Sequence, residues 1–175
     1  MEISRAIEIP GYMDALELQW LASQAAEHSV IVELGSYLGR STRALGDNAK
    51  GVVYAVDNWE GPVGLNDINL DPSEGQYERF CKNLEDLIRD GVVIPVRSNH
   101  REVQIPGSFD MVFLDGNHTA EYVKADIRKW LPTIQPGGII SGHDAMWPGL
   151  IEAVWDELGY VEMAANLSIW WKLKK

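Results

Sequence analysis

Apolar and polar positions along this chain change period repeatedly, and each change marks an element. Met13, Leu16, Trp20 and Leu21 recur at helical spacing and predict a first helix from 12 to about 27. Val30-Ile31-Val32-Glu33-Leu34 follows, a β-branched run ending at Gly35, and its two-sided apolarity predicts a strand covered on both faces. A helix over 40–48 and a second strand over 52–56 come next. Phe80, Leu84, Leu87 and Ile88 form the stripe of a helix from 77 to 89, and 92–96 and 109–114 read as the third and fourth strands. Val123, Ile127, Trp130 and Leu131 predict a helix within 119–134, Pro136-Gly137-Gly138 a turn, and 138–141 the start of a fifth strand. A helix over 150–158 and a closing pair of strands at 160–164 and 168–173 complete the chain.

Strand and helix thus alternate, and parallel strands need crossover helices, so the pattern predicts a doubly wound α/β fold. Seven strands are expected, mostly parallel and Rossmann-like, with the last two as an antiparallel pair. No internal repeat, low-complexity tract or linker divides 1–175, which reads as a single domain. Right-handed crossovers place the loops after the strands along one edge, where ligands bind. One connection, 58 to about 76, is polar, contains Gly and Pro, and is long for a compact domain, so it reads as a lid or acceptor loop.

Composition narrows the function classes. The net charge of -11 argues against nucleic acid as a partner, because phosphate contacts need clustered Lys and Arg, and the tail Lys172, Lys174, Lys175 reads as a solvated end. Cys81 is the only cysteine, which excludes an intrachain disulfide and a cysteine-rich metal site. Met1-Glu2-Ile3-Ser4-Arg5 lacks the apolar core of a signal peptide, and no run reaches membrane-spanning length. No membrane partner and a cytoplasmic location are therefore expected; a homo-oligomer remains compatible with the sequence.

The loop after the first strand reads Glu33-Leu34-Gly35-Ser36-Tyr37-Leu38-Gly39-Arg40-Ser41. Gly35 permits a tight turn, and Gly39 lets the next helix begin with its backbone close to a ligand. The spacing Glu-x-Gly-x-x-x-Gly-x-Ser differs from the Gly-x-Gly-x-x-Gly that cradles a dinucleotide pyrophosphate, and its leading acid suits a ligand with a positive amino group. Asp57, about twenty residues past the glycines, ends the second strand, where a carboxylate can accept both ribose hydroxyls or simply cap its own loop. These residues resemble the S-adenosylmethionine-binding motifs of class I methyltransferases. The resemblance implies a donor site in which Gly35, Ser36, Tyr37, Gly39 and Ser41 approach the methionine part, with Glu33 near its amino end. Asp57 and Asn58 would then hold the ribose, Ser98 and Asn99 the adenine, and Asp115 would border the donor.

Two later loops carry proton- and metal-binding groups. Phe109-Asp110-Met111-Val112-Phe113-Leu114-Asp115-Gly116-Asn117-His118 places Asp115 and His118 just past the fourth strand, and Ser141-Gly142-His143-Asp144 follows the fifth. Adjacent parallel strands bring such residues to one pocket edge, where they can bind a divalent cation or accept a proton; capping of the next helix is the plainer alternative. The phrase Asp-Gly-Asn-His, a helix, then Pro-Gly-Gly-Ile-Ile-Ser-Gly-His-Asp resembles the macrolide-sugar and cephalosporin-type O-methyltransferases and, more distantly, catechol O-methyltransferase. That resemblance implies Asp115 and Asp144 as ligands of Mg²⁺, His118 as base, and methylation of a small-molecule hydroxyl. It departs at His143, where the relatives carry an acid; imidazole there is either a third ligand or a catalytic neighbour, and favours Mn²⁺ over Mg²⁺. Trp59 and Trp147 follow strand ends and are expected to wall the pocket, whereas Trp155, Trp170 and Trp171 read as packing. A nicotinamide-dependent oxidoreductase would also use Asp57, but the glycine spacing and short chain disfavour it. A non-catalytic donor-binding module would keep the first loop without a pocket beside the sulfonium.

Overall fold

The structure is a computed structural model and describes residues 1–60 and 75–175. Its centre is β1 (Val30–Leu34), flanked by β2 (Val52–Asp57) and β4 (Phe109–Leu114), both parallel to it. β3 (Val93–Arg97) extends the sheet beyond β2, and β5 (Ile134–Gly142) beyond β4. β7 (Ile169–Leu173) runs antiparallel to β5 and pairs with β6 (Glu162–Ala164), giving the order β3-β2-β1-β4-β5-β7-β6. This is the doubly wound sheet with an antiparallel closing pair that the alternation predicts.

The period-2 geometry of β1 sorts its side chains into two apolar layers. Ile31 joins the layer built with α1 (Ser4–Glu8), α2 (Ala15–Ala25), α3 (Arg40–Gly46), α4 (Gln76–Asn83) and α5 (Glu85–Arg89). Val32 and Leu34 join the opposite layer with α6 (Ala120–Trp130) and α7 (Leu150–Leu158). Glu33, between them in sequence, is therefore forced onto the α3 side and wholly buried.

Several boundaries differ from the sequence reading, each for a local reason. The first predicted helix starts at Ala15 because Asp14 caps it: its carboxylate accepts the backbone N–H of Leu16 (2.8 Å) and Glu17 (3.0 Å), and Glu17 Oε2 accepts that of Asp14 (2.6 Å). The helix predicted over 77–89 is two, divided at Leu84, whose backbone leaves helical values. Arg43 draws on that junction, donating to the Asn83 carbonyl (2.8 Å) and the Asp86 carboxylate (2.6 Å). The helix predicted to reach 134 ends at Trp130, followed by a 3₁₀ turn at Leu131–Thr133 with Pro132 inside it. Pro136-Gly137-Gly138 is not a separate turn but an irregular part of β5. The register against β4 shifts between Phe109 and Met111, Gly137 takes φ +86°, and a Cβ on Gly138 would lie 2.6 Å from the Asp110 carbonyl oxygen.

α1 is too short to give a periodic signal. It is fastened by Arg40, which donates to the carbonyls of Ile7 (2.8 Å), Ile9 (2.7 Å) and Met13 (2.8 Å). The predicted lid, 58 to about 76, lies for 61–74 outside the described residues. Among the described residues no helix is long and apolar enough to cross a membrane.

Candidate active site

The loops after β1 to β5 open on one cleft of about 910 Å³ along the C-terminal edge of the sheet. Of the residues singled out in the sequence, Gly35, Ser36, Tyr37, Ser41, Asp57, Asn58, Asn99, Asp115, His118, His143 and Asp144 line it. Glu33, Gly39 and Ser98 do not, and the structure gives each another position.

Gly35 joins the two ends of the cleft. It has φ +92°, and a Cβ there would sit 2.1 Å from the carbonyl oxygen of Asp115. The Asp115 N–H donates to the Leu34 carbonyl (2.8 Å), and the Gly35 N–H to that of Val56 (2.8 Å). The first glycine is thus required by the approach of the Asp115 backbone as well as by the turn. Gly39 caps α3 with φ +91°, and a Cβ there would meet Leu84 and Phe80 at 3.2 Å. Its role is core packing and helix initiation, which corrects the expectation of a ligand-facing backbone.

Glu33 stands one layer behind the cleft wall rather than in it. Its Oε2 accepts the hydroxyls of Ser36 (2.7 Å) and Thr42, while Oε1 is buried without a hydrogen-bond partner among the described residues. Burial pushes its carboxyl up to about 7, against the pull of the Ser41, Thr42 and Ser36 hydroxyls. Ser36 and Ser41, which do line the cleft, connect this acid to whatever binds there.

Asp57 accepts the backbone N–H of Tyr37 (2.9 Å) on one oxygen and of Trp59 (2.8 Å) on the other. Burial raises its carboxyl, opposed chiefly by the Trp59 N–H. It therefore ties the β1 and β2 loops together and still faces the cleft. Trp59 is buried against Phe80 and Tyr77, with ring centroids 4.8 and 4.9 Å away, and its indole N–H donates to the Tyr37 carbonyl (2.7 Å). It packs the core and does not wall the pocket; Trp147 does, 54% exposed and 5.3 Å from the His118 ring. Ser98 turns away, its N–H donating to the Asp57 carbonyl (2.9 Å) and its hydroxyl to that of Asn99 (3.3 Å).

The opposite wall holds a cluster of acids and imidazoles. Asp115, His118 and Asp144 each offer a ligand atom, all within 4.8 Å of one another. His118 Nε2 lies 2.8 Å from Asp144 Oδ2 and 4.0 Å from Asp115 Oδ1, as an ion-pair contact without a well-directed hydrogen bond. The carboxylates of Asp115 and Asp144 push the His118 imidazole up to about 9. His143 is nearly buried, its Nδ1 3.4 Å from Asp115 Oδ1 and 3.2 Å from Asp144 Oδ2, and its Nε2 2.7 Å from Glu17 Oε1. Burial opposes its charge, but these three acids outweigh it and hold the ring pushed up to about 12. Asp144 is raised by burial, yet its imidazole partners carry it well below the usual carboxylate range. The residues expected as ligands, Asp115, His143 and Asp144, thus lie together with His118: Nδ1 of His143 is 3.4 and 3.2 Å from the two acids and Nε2 of His118 4.0 and 2.8 Å.

Sequence reasoning missed Glu17, Tyr12, Arg40 and His100. Tyr12, Arg40 and His100 line the cleft, and Tyr12 is 62% exposed at its mouth. Asp14 and Glu17 form a legible capping box, but helical spacing carries no sign that the glutamate's second oxygen points at a loop 126 residues away.

Comparison with known proteins decides the family. Residues 32–145, from β1 to the turn after β5, match the methyltransferase domain. The chain belongs to this methyltransferase family. Its fold is that of class I methyltransferases, and S-adenosylmethionine is the domain's methyl donor. The S-adenosylhomocysteine-bound methyltransferase PaMTH1 of Podospora anserina superposes with a TM-score of 0.67 at 16% identity, over 94% of this chain and 80% of that one. An O-methyltransferase family protein of Burkholderia thailandensis gives 0.63 at 12% identity over 90% and 55%, and the N-methyltransferase NodS of Bradyrhizobium japonicum 0.60 at 12% over 90% and 94%. An uncharacterized protein of Sinorhizobium fredii, y4gI, is 29% identical over 121 residues, 65% of this methyltransferase chain. The chain spans only 13% of that relative's length.

Proposed function

We propose that this methyltransferase transfers the methyl of S-adenosylmethionine to a hydroxyl of a small-molecule acceptor beside a divalent cation. The observation that carries this reading is one continuous cleft, with the Gly35–Ser41 loop and Asp57 at one end and Asp115, His118 and Asp144 at the other. The residues fit the donor: Asp57 faces the cleft beside the turn at Tyr37, and the buried carboxyl of Glu33 stands behind Ser36 and Ser41, where a cationic group in the cleft would favour its ionised form. They also fit a cation, since the carboxylates of Asp115 and Asp144 converge beside His118, oxygen donors suited to Mg²⁺ or Mn²⁺ that leave the imidazole for proton transfer.

When bound, the donor supplies a methyl group activated by its sulfonium. The chain's own work is alignment and proton handling. Asp57 fixes the nucleoside end, the Gly35–Tyr37 backbone borders the methionine part, and Trp147 and Tyr12 border the acceptor's approach. His118 is the proton acceptor at Nε2. Because Asp115 and Asp144 keep it protonated in the free protein, it must first release that proton to solvent, once its contact with Asp144 is opened, before it can take the proton of the acceptor hydroxyl. A cation shared by Asp115 and Asp144 would compete for the carboxylates that now hold the imidazolium.

Calorimetry with S-adenosylhomocysteine tests the donor site. The wild type is expected to bind, and Asp57→Ala to lose roughly 1.5–3 kcal/mol through absent ribose hydrogen bonds. Folded wild type that fails to bind would overturn the donor reading. For the cation, chelation is expected to abolish methyl transfer while leaving donor affinity intact, and His118→Ala to lower kcat with little change in donor affinity. Full turnover in metal-free enzyme would remove the cation from the proposal.

A further inference from the structure

Helix α2 reaches the acid–imidazole cluster through one side chain. Glu17 is buried, 7% exposed, although its place at the third position of α2 usually faces water. Capping occupies only Oε2, which accepts the Asp14 N–H. Oε1 points the other way, to His143 Nε2 at 2.7 Å. The His143 backbone is itself pinned, its N–H donating to the Leu114 carbonyl (3.0 Å), so the ring retains only side-chain rotation. Turned over, the ring would present carbon to Glu17 and remove a nitrogen from Asp115 and Asp144. The bond to Glu17 selects the orientation in which Nδ1 faces Oδ1 of Asp115 and Oδ2 of Asp144.

We propose that Glu17 is a positioning residue of the active site, acting through His143 to fix the geometry of Asp115 and Asp144. Its consequence for cation binding rests on the function proposed above; its effect on the ring does not. With an N–H on each nitrogen, the ring donates to Glu17 through Nε2 and points its Nδ1 N–H at the Asp115 and Asp144 oxygens, so the outer bond fixes the direction of the inner one.

Three variants separate this role from helix capping. Asp14→Ala breaks the capping box without touching His143. Glu17→Ala removes both functions, and Glu17→Gln keeps the volume but only one carbonyl oxygen, which serves the cap or His143 and not both. In metal-free protein, nitrogen-resolved NMR should find a slowly exchanging proton on His143 Nε2 in wild type and Asp14→Ala, faster exchange in Glu17→Gln, and no protection in Glu17→Ala. With Mn²⁺ alone as probe, calorimetry should show binding weakened on the order of 10–100-fold in Glu17→Ala, intermediate in Glu17→Gln and near wild type in Asp14→Ala. S-adenosylhomocysteine affinity should stay constant throughout. A freely exchanging Nε2 proton in wild type, or equal loss of Mn²⁺ affinity in Asp14→Ala and Glu17→Ala, would overturn the proposal. If wild type binds no Mn²⁺ while the proton is protected and lost in Glu17→Ala, the positioning role stands and the cation reading falls.

Discussion

Gly35→Ala is expected to destabilise the folded protein by about 3–5 kcal/mol, at the upper end of single-substitution effects. Two costs add. A φ of +92° is one that L side chains rarely adopt, and the new Cβ would sit 2.1 Å from the Asp115 oxygen and 2.6 Å from its carbonyl carbon. Both are backbone atoms at the end of β4, fixed by the bond from the Asp115 N–H to Leu34, so neither yields as a side chain does. Gly39→Ala is the useful contrast: φ is +91°, but the Cβ would meet only the Leu84 and Phe80 side chains, at 3.2 Å. Urea denaturation should therefore show a much larger fall in midpoint for Gly35→Ala, with little change in slope for either. Similar midpoints for the two variants would show that the backbone overlap is relieved cheaply and that only the dihedral matters. The junction matters for function because the donor loop and the acid cluster meet at this contact.

The sheet was legible because its inner strands are two-sided apolar runs bounded by turn residues. β1 and β4 begin and end where the periodicity places them. Elements that rest on single contacts were not legible. α1 depends on Arg40 reaching three carbonyls, and the break at Leu84 lies beside the Arg43 contact with Asn83. The site divides in the same way. Asp57, Asp115, His118, His143 and Asp144 could be read because topology sends the ends of β1, β2, β4 and β5 to one edge. Glu17 could not, since it arrives from a helix, and Trp59 looked like a wall residue because a position after a strand does not reveal which way the ring turns. The two glycines were found for partly the wrong reason: their positions are demanded by neighbouring chain, at Asp115 for one and at Leu84 and Phe80 for the other.

Glu33→Gln is expected to stabilise the protein above neutral pH while weakening donor binding. The carboxyl is wholly buried, and its value of about 7 stands above an ordinary 4.5. Between those values the folded state binds more protons at this site than the unfolded chain, so stability contributed by the neutral form is present below 4.5 and falls as pH rises toward 7. Above that point the penalty of the buried charge is complete, about 3 kcal/mol for a shift of this size. Glutamine keeps a carbonyl to accept the Ser36 and Thr42 hydroxyls and does not ionise, so the advantage of the variant should be small near pH 4.5 and full at pH 8. Thermal melting of both proteins across that range checks the sign, and a difference constant with pH would show that Glu33 is already neutral, or already charged without cost, in the folded state. Calorimetry with S-adenosylhomocysteine completes the test. Among the described residues Oε1 is buried with no hydrogen-bond partner, an arrangement that costs stability unless a bound cationic group compensates it. If the donor's amino end is that group, the more stable variant binds it less tightly; equal affinity would leave the unpartnered oxygen without a functional reason.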